Sequence, residues 1–144
     1  MQTNQDRSSD CVSSESNPIV FEDMSPNIYV SDIHRTIAFY KFLGFEIIDA
    51  VPDVTNPIFV LMTSGNVSLM FQTFDSIKGS LPAVKREDGG SLLFYVKLKG
   101  VRKFYERIKD RVTILRGLEK TFYGATEFSI LDDNNYMLTF AEDE

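Results

Sequence analysis

The chain has no tryptophan and only one cysteine and one histidine among its 144 residues. The lone thiol, Cys11, excludes an internal disulfide and cannot build a zinc site by itself. No apolar run approaches the ~20 residues that a membrane-spanning helix needs. The opening stretch MQTNQDRSSDCVSSESNP lacks the apolar core of a secretory signal. These absences predict a cytoplasmic protein that makes no membrane contact. Basic residues are also in deficit, 15 Lys and Arg against 21 Asp and Glu, for a net charge of −6. A surface of that sign repels phosphate and argues against a nucleic-acid partner. Gly89-Gly90 matches no phosphate-cradling loop. Residues 1–24 are mostly small and polar and predict a disordered tail, on which Cys11 has no visible partner to activate it.

What the sequence does have is a repeat. NVSLMF at 66–71 and NYMLTF at 135–140 share the pattern N-x-x-L-x-F, and Phe59 and Leu61 match Phe128 and Ile130 at the same offset. Around these landmarks the order of elements recurs. NIYV (27–30) alternates as a strand. Asp32 offers a helix N-cap, Ile33, Ile37, Tyr40 and Leu43 fall at helical spacing, and Gly44 ends the run. FEIIDAV (45–51) predicts a strand, and IFVLMT (58–63) with NVSLMFQT (66–73) a hairpin. In the second half SLLFYVK (91–97) is the opening strand, and Val101, Phe104, Tyr105 and Ile108 form a helical stripe. VTILRGL (112–118) follows, then a hairpin of EFSIL (127–131) and YMLTF (136–140) across the turn at 132–134. The expected fold class is α+β: two βαβββ modules, 25–74 and 91–141, joined by a linker at 75–90. Each module is too small to bury its sheet alone, so the two are expected to share one domain.

SPNIYVSDIHRTIAFYKFLGFEI resembles the opening of the glyoxalase/bleomycin resistance/extradiol dioxygenase superfamily, the vicinal oxygen chelate proteins. The matching letters are Pro26, Ile28, Val30, Asp32, Phe39, Tyr40 and Leu43 to Phe45. FYGATEFSILDDNNYMLTF is similar to the superfamily's last hairpin, with Tyr123-Gly124 as its aromatic-Gly pair. The turn departs from the Asp-Pro-Asp-Gly-Asn-like form, reading Asp132 to Asn135, but Asn tolerates the left-handed backbone that such a turn needs. The resemblance implies a mixed-sheet half-barrel around a central cleft, commonly assembled as a homodimer.

Side chains alternate across a strand, so each sheet has two faces. One face is apolar, with Ile28, Val30, Val67, Leu69, Phe71, Leu92, Phe94, Val96, Leu138 and Phe140, and is expected to pack under the helices. The other is mixed. In the first module it carries Asn27, Tyr29, Ser68, Met70 and Gln72; in the second, Leu93, Tyr95, Met137 and Thr139, with Tyr123 nearby. Apolar area with a few orienting polar groups suits an organic ligand, while a plain solvated face or a dimer contact is the plainer alternative.

Metal-using members of the superfamily draw His, Gln or Glu ligands from the first and last strands of each module. Carried over, those positions fall on Ser25, Ser91, Met70 and Thr139, none of which is a strong ligand for a divalent cation. His34 lies at the start of the first helix, away from the cleft. Neither a metal nor any other cofactor is therefore expected. Glu127 falls on the mixed face and is a candidate general base, with a strand-edge carboxylate paired to Lys or Arg as the alternative. The segment 97–111 holds seven of the 15 Lys and Arg residues and reads as the wet side of the second helix. The expectation is a metal-free protein that binds a small organic molecule, resembling the bleomycin-resistance branch. The alternatives are a glyoxalase- or dioxygenase-like lyase or isomerase, and a protein-interaction module.

Overall fold

The computed structural model describes residues 18–77 and 92–144. Cys11, Ser91 and most of the expected linker fall outside them. The first module runs β1 (Asn27–Val30), α1 (Ile33–Leu43), β2 (Glu46–Val51), β3 (Phe59–Ser64) and β4 (Val67–Thr73), then a single 3-10 turn at Phe74–Ile77. The second runs β5 (Leu93–Lys97), α2 (Val101–Ile108), β6 (Thr113–Lys120), β7 (Ala125–Leu131) and β8 (Met137–Asp143). Each module forms a four-stranded mixed sheet, ordered β1-β4-β3-β2 and β5-β8-β7-β6. The first strand of each pairs parallel to the last, and the remaining ladders are antiparallel. This is the expected pair of βαβββ units.

Local chemistry accounts for the boundaries of α1. The Asp32 carboxylate accepts from the Arg35 backbone N–H, filling one of the orphan donors of the first turn. Gly44 closes the helix at φ 115°, which a residue with a Cβ adopts only under strain. Ile33, Ile37, Tyr40 and Leu43 are buried, so the apolar stripe read from the sequence is the packed one.

The apolar sheet faces pack as expected, with one exception. Leu92 is 51% exposed, because the β5–β8 ladder begins only at Leu93 opposite Met137. Leu92 therefore precedes the strand and has no sheet neighbour to pack against. Most of the buried apolar residues of both modules form one cluster, with Tyr40 and Phe71 at its first-module end and Phe128 and Phe140 at its second. Ring contacts fill it: Tyr40 lies 4.7 Å from Phe71, and Phe128 5.3 Å from Phe140.

A polar lock ties the modules together. The Tyr40 hydroxyl, on α1, donates to Asp132 Oδ2 at 2.7 Å in the turn between β7 and β8. Asp132 Oδ1 accepts from the backbone N–H groups of Asn134 (2.8 Å) and Tyr136 (2.9 Å). Thr36 donates to Asp133 Oδ2 at 2.9 Å, and Arg35 pairs with the same carboxylate at 3.5 Å. Asn135 takes the left-handed backbone at φ 65°, as the Asn-rich turn predicted. In the sequence this turn reads as a local connection; the structure makes it the joint between the modules.

Asp133 also predicts a pH dependence. Its Oδ1 is buried without a partner among the described residues, and burial raises its pKa above the ordinary 3.8, against the lowering effect of Thr36 and Arg35. A carboxyl whose folded pKa is raised holds its proton more tightly in the folded chain. The stability it contributes is present at low pH and is lost as pH rises through the folded value. Asp133→Asn is therefore expected to gain melting temperature relative to the parent as pH rises from about 4 to 7. A difference between the two proteins that stays flat over that range would refute this account.

Candidate functional site

The mixed sheet faces carry two separate polar groups. In the first module, Asn27 Nδ2 donates to the Tyr29 hydroxyl (3.3 Å) and to Gln72 Oε1 (3.0 Å). Gln72 Nε2 donates onward to Ser76 Oγ at 2.9 Å. Strand register makes this possible: β1 and β4 are parallel, with Asn27 beside Met70 and Tyr29 beside Gln72. Asn27 Oδ1 is enclosed without a partner among the described residues. A buried acceptor in that state costs free energy until a donor reaches it.

The second group centres on Glu127, which is only 7% exposed. Tyr95 and Tyr123 both donate to Glu127 Oε2, at 2.5 Å and 2.6 Å. Tyr95 reaches it from β5 across the intervening strand β8. Tyr123 arrives from the β6–β7 turn, where Gly124 at φ 87° lets the chain double back over its own strand. The hydrogen bonds to Glu127 are the leading cause that pushes both phenols above their usual pKa, with burial adding to it. Both tyrosines are thus held protonated, as donors rather than bases. Glu127 Oε1 accepts from no described residue, yet it is not among the fully enclosed orphan atoms. One oxygen is saturated by two phenols, and the other has no partner among the described residues.

One row further along the sheet, Ser129 Oγ and Thr139 Oγ1 share a hydrogen bond of 2.8 Å. Leu93 stands beside Met137 in the β5–β8 register, adding apolar area. The rim is aromatic and open, with Tyr95 47%, Tyr123 58% and Phe122 99% exposed. Phe122 and Tyr123 meet edge to face at 5.0 Å. Large apolar groups exposed together mark a surface that meets a ligand or a partner.

The residues picked from the sequence thus fall into two sets. Asn27, Tyr29 and Gln72 are bonded to one another, with Met70 beside them; Tyr95, Tyr123 and Glu127 are bonded, with Thr139, Met137 and Leu93 on the same sheet. No hydrogen bond or ring contact among the described residues joins one set to the other. Glu127 pairs with phenols, not with the Lys or Arg that the plainer reading supposed. Ser129 and Phe122 were missed. Ser129 shares the parity of Glu127 along β7, which would have revealed it. Phe122 carried no periodic signal because it lies in a turn.

Donor chemistry argues against a divalent cation at the superfamily's ligand positions. Thr139 spends its hydroxyl on Ser129, Met70 offers a thioether, and Ser25 offers a neutral hydroxyl. No cluster of three or more His, Cys, Asp or Glu suited to a metal occurs among the described residues. His34 is exposed on α1. No helix among the described residues is long and apolar enough to cross a membrane.

Paired βαβββ modules, each with a mixed polar and aromatic sheet face, define a class of two-module proteins with many activities on one scaffold. A sequence profile of the Glyoxalase/Bleomycin resistance protein/Dioxygenase superfamily matches residues 21–140, and the chain belongs to that superfamily. Among curated proteins none matches it in sequence. Solved structures share the fold at low identity. A glyoxalase/bleomycin resistance protein/dioxygenase family enzyme from Burkholderia phytofirmans PsJN is 21% identical with a TM-score of 0.70, covering 83% of this chain and 97% of that one. A bleomycin-binding protein complexed with bleomycin is 20% identical with a TM-score of 0.61, covering 86% and 100%. The bleomycin resistance determinant encoded on the transposon Tn5 is 20% identical with a TM-score of 0.64, covering 86% and 99%. At such identities the likeness establishes the fold alone.

Proposed function

We propose that this protein binds a small organic cation on the Tyr95–Tyr123–Glu127 face and sequesters it without metal or cofactor. The observation that carries the reading is the open Oε1 of Glu127 beside an oxygen already saturated by two phenols. A fixed carboxylate flanked by exposed aromatic rings suits a flat ligand that bears an amine or guanidine, combining charge with stacking. The net charge of −6 favours approach of a cation. The bleomycin-holding relative of the same fold supports the choice of ligand class. The parts of the expected site in the first module, Asn27, Tyr29, Met70 and Gln72, are assigned to the same task through the orphan acceptor of Asn27.

The exposed Phe122, Tyr123 and Leu93 support a homodimer in which a second copy covers this face. Phe122→Asp is expected to shift the protein from dimer to monomer in light scattering after gel filtration. An unchanged mass would remove this surface from the interface.

A thermal-shift screen of bleomycin and a panel of aromatic amines and guanidines tests the ligand class. A compound present at 100 times its Kd raises folded-state stability by about 2.7 kcal/mol, a readily measured shift. If no cation in the panel moves the melting temperature while neutral analogues do, the charge assignment is wrong. A cation that is chemically converted, with conversion lost in Glu127→Gln, would replace sequestration with metal-independent lyase or isomerase chemistry in which Glu127 is the base.

A further inference from the structure

A pocket of about 620 Å³ opens at the seam between the two modules, lined from both helices and away from the Glu127 group. The first module contributes Leu43, Phe45 and Val67 to its wall, and the second Leu98, Phe104 and Phe140. The volume falls within the range of small-molecule sites. Its charged lining is of one sign. Lys97, Lys99, Lys103 and Arg107 stand there, all exposed, and no carboxylate does, in a chain whose net charge is −6.

Of these four, Lys97 alone has a counter-ion among the described residues. Lys97 and Lys109 on the same segment pair with Asp143 and Glu106, whereas Lys99, Lys103 and Arg107 make no ion pair with any described residue. Lys103 and Arg107 lie one helical turn apart on α2, so their charges share one side of the helix. A free phosphate would look for backbone donors at the start of α2, but Glu142 Oε1 already takes the N–H groups of Gly100 and Val101, each at 3.0 Å. What remains is side-chain positive charge above an apolar wall.

We propose that this seam pocket binds a small amphipathic carboxylate, its chain among Leu43, Val67 and Phe104 and its head group between Lys103 and Arg107. The basic run at 97–111 then has a purpose beyond solvating α2. Because the pocket is built from both modules, an occupant also clamps them together.

Calorimetric titration with sodium dodecanoate, below its micelle concentration, provides the test. Dodecanoate is expected to bind with micromolar affinity that weakens with salt, and decanoate roughly tenfold less tightly for the two methylenes it lacks. The double reversal Lys103→Glu, Arg107→Glu is expected to weaken dodecanoate at least about tenfold while leaving the melting temperature unchanged, since both side chains are exposed. Methyl resonances of Leu43, Val67 and Leu98 are expected to move on titration. Absence of binding, indifference to the charge reversal, equal affinity for dodecyltrimethylammonium, or shifts confined to Leu93 and Met137 would each overturn the assignment.

Discussion

Asp132→Ala is expected to lower the melting temperature by roughly 10–15 °C. Asp132 is 5% exposed and accepts three hydrogen bonds, from Tyr40, Asn134 and Tyr136. Alanine leaves the fully buried Tyr40 hydroxyl and two turn amides without this acceptor. A buried donor without an acceptor costs about 1–3 kcal/mol. Set against a total stability of about 5–15 kcal/mol, the sum is a large fraction. Tyr40→Phe removes one donor instead of an acceptor of three, and about 1.5–3 kcal/mol is expected for it. The double variant should lose less than the two singles added together, because a phenylalanine ring strands no hydroxyl when the carboxylate is gone. Thermal denaturation of the four proteins supplies the cycle. Strict additivity, or an Asp132→Ala protein within a degree or two of the parent, would show that the lock is decorative.

Glu127→Gln is expected to weaken the binding of any cationic ligand about 30- to 100-fold, the worth of one hydrogen bond to a charged group together with its ion pair. Neutral analogues of the same shape should lose far less, since glutamine keeps an acceptor oxygen and the volume. Tyr95→Phe and Tyr123→Phe each remove one of the two donors that fix Oε2, and about three- to tenfold is expected from each through loss of orientation. Titration calorimetry with a cation found in the thermal-shift screen makes the comparison. Equal losses for charged and neutral ligands would mean that Glu127 acts by shape. No loss for either would move the binding face elsewhere.

The sequence carried more of the fold than of the site. Val30, Phe71, Leu138 and Phe140 were placed in the core from alternation and repeat alone, and all four are buried. The boundaries of α1 were legible from Asp32 and Gly44, because capping acts within a few residues. Leu92 marks the limit. Parity along a strand is readable, but where the strand starts depends on where its partner begins. On the sheet face, the lining residues could be named while their bonding could not. Tyr95 and Glu127 lie 32 residues apart and meet only because β8 sits between their strands. The unpartnered Glu127 oxygen on which the proposed cation site rests follows from that meeting.

By itself the sequence determined the two βαβββ units, their shared core letters and the poverty of metal donors at Ser25, Met70 and Thr139. Those properties are set by periodicity, by capping and by side-chain chemistry, all of which are local. Tertiary structure alone decided that the Asp132 turn bolts one module to the other, that two phenols saturate one oxygen of Glu127, and that Lys99, Lys103 and Arg107 face an apolar seam without counter-ions among the described residues. Each of these is a distance between residues far apart in the chain, which only the packing of one element against another can set.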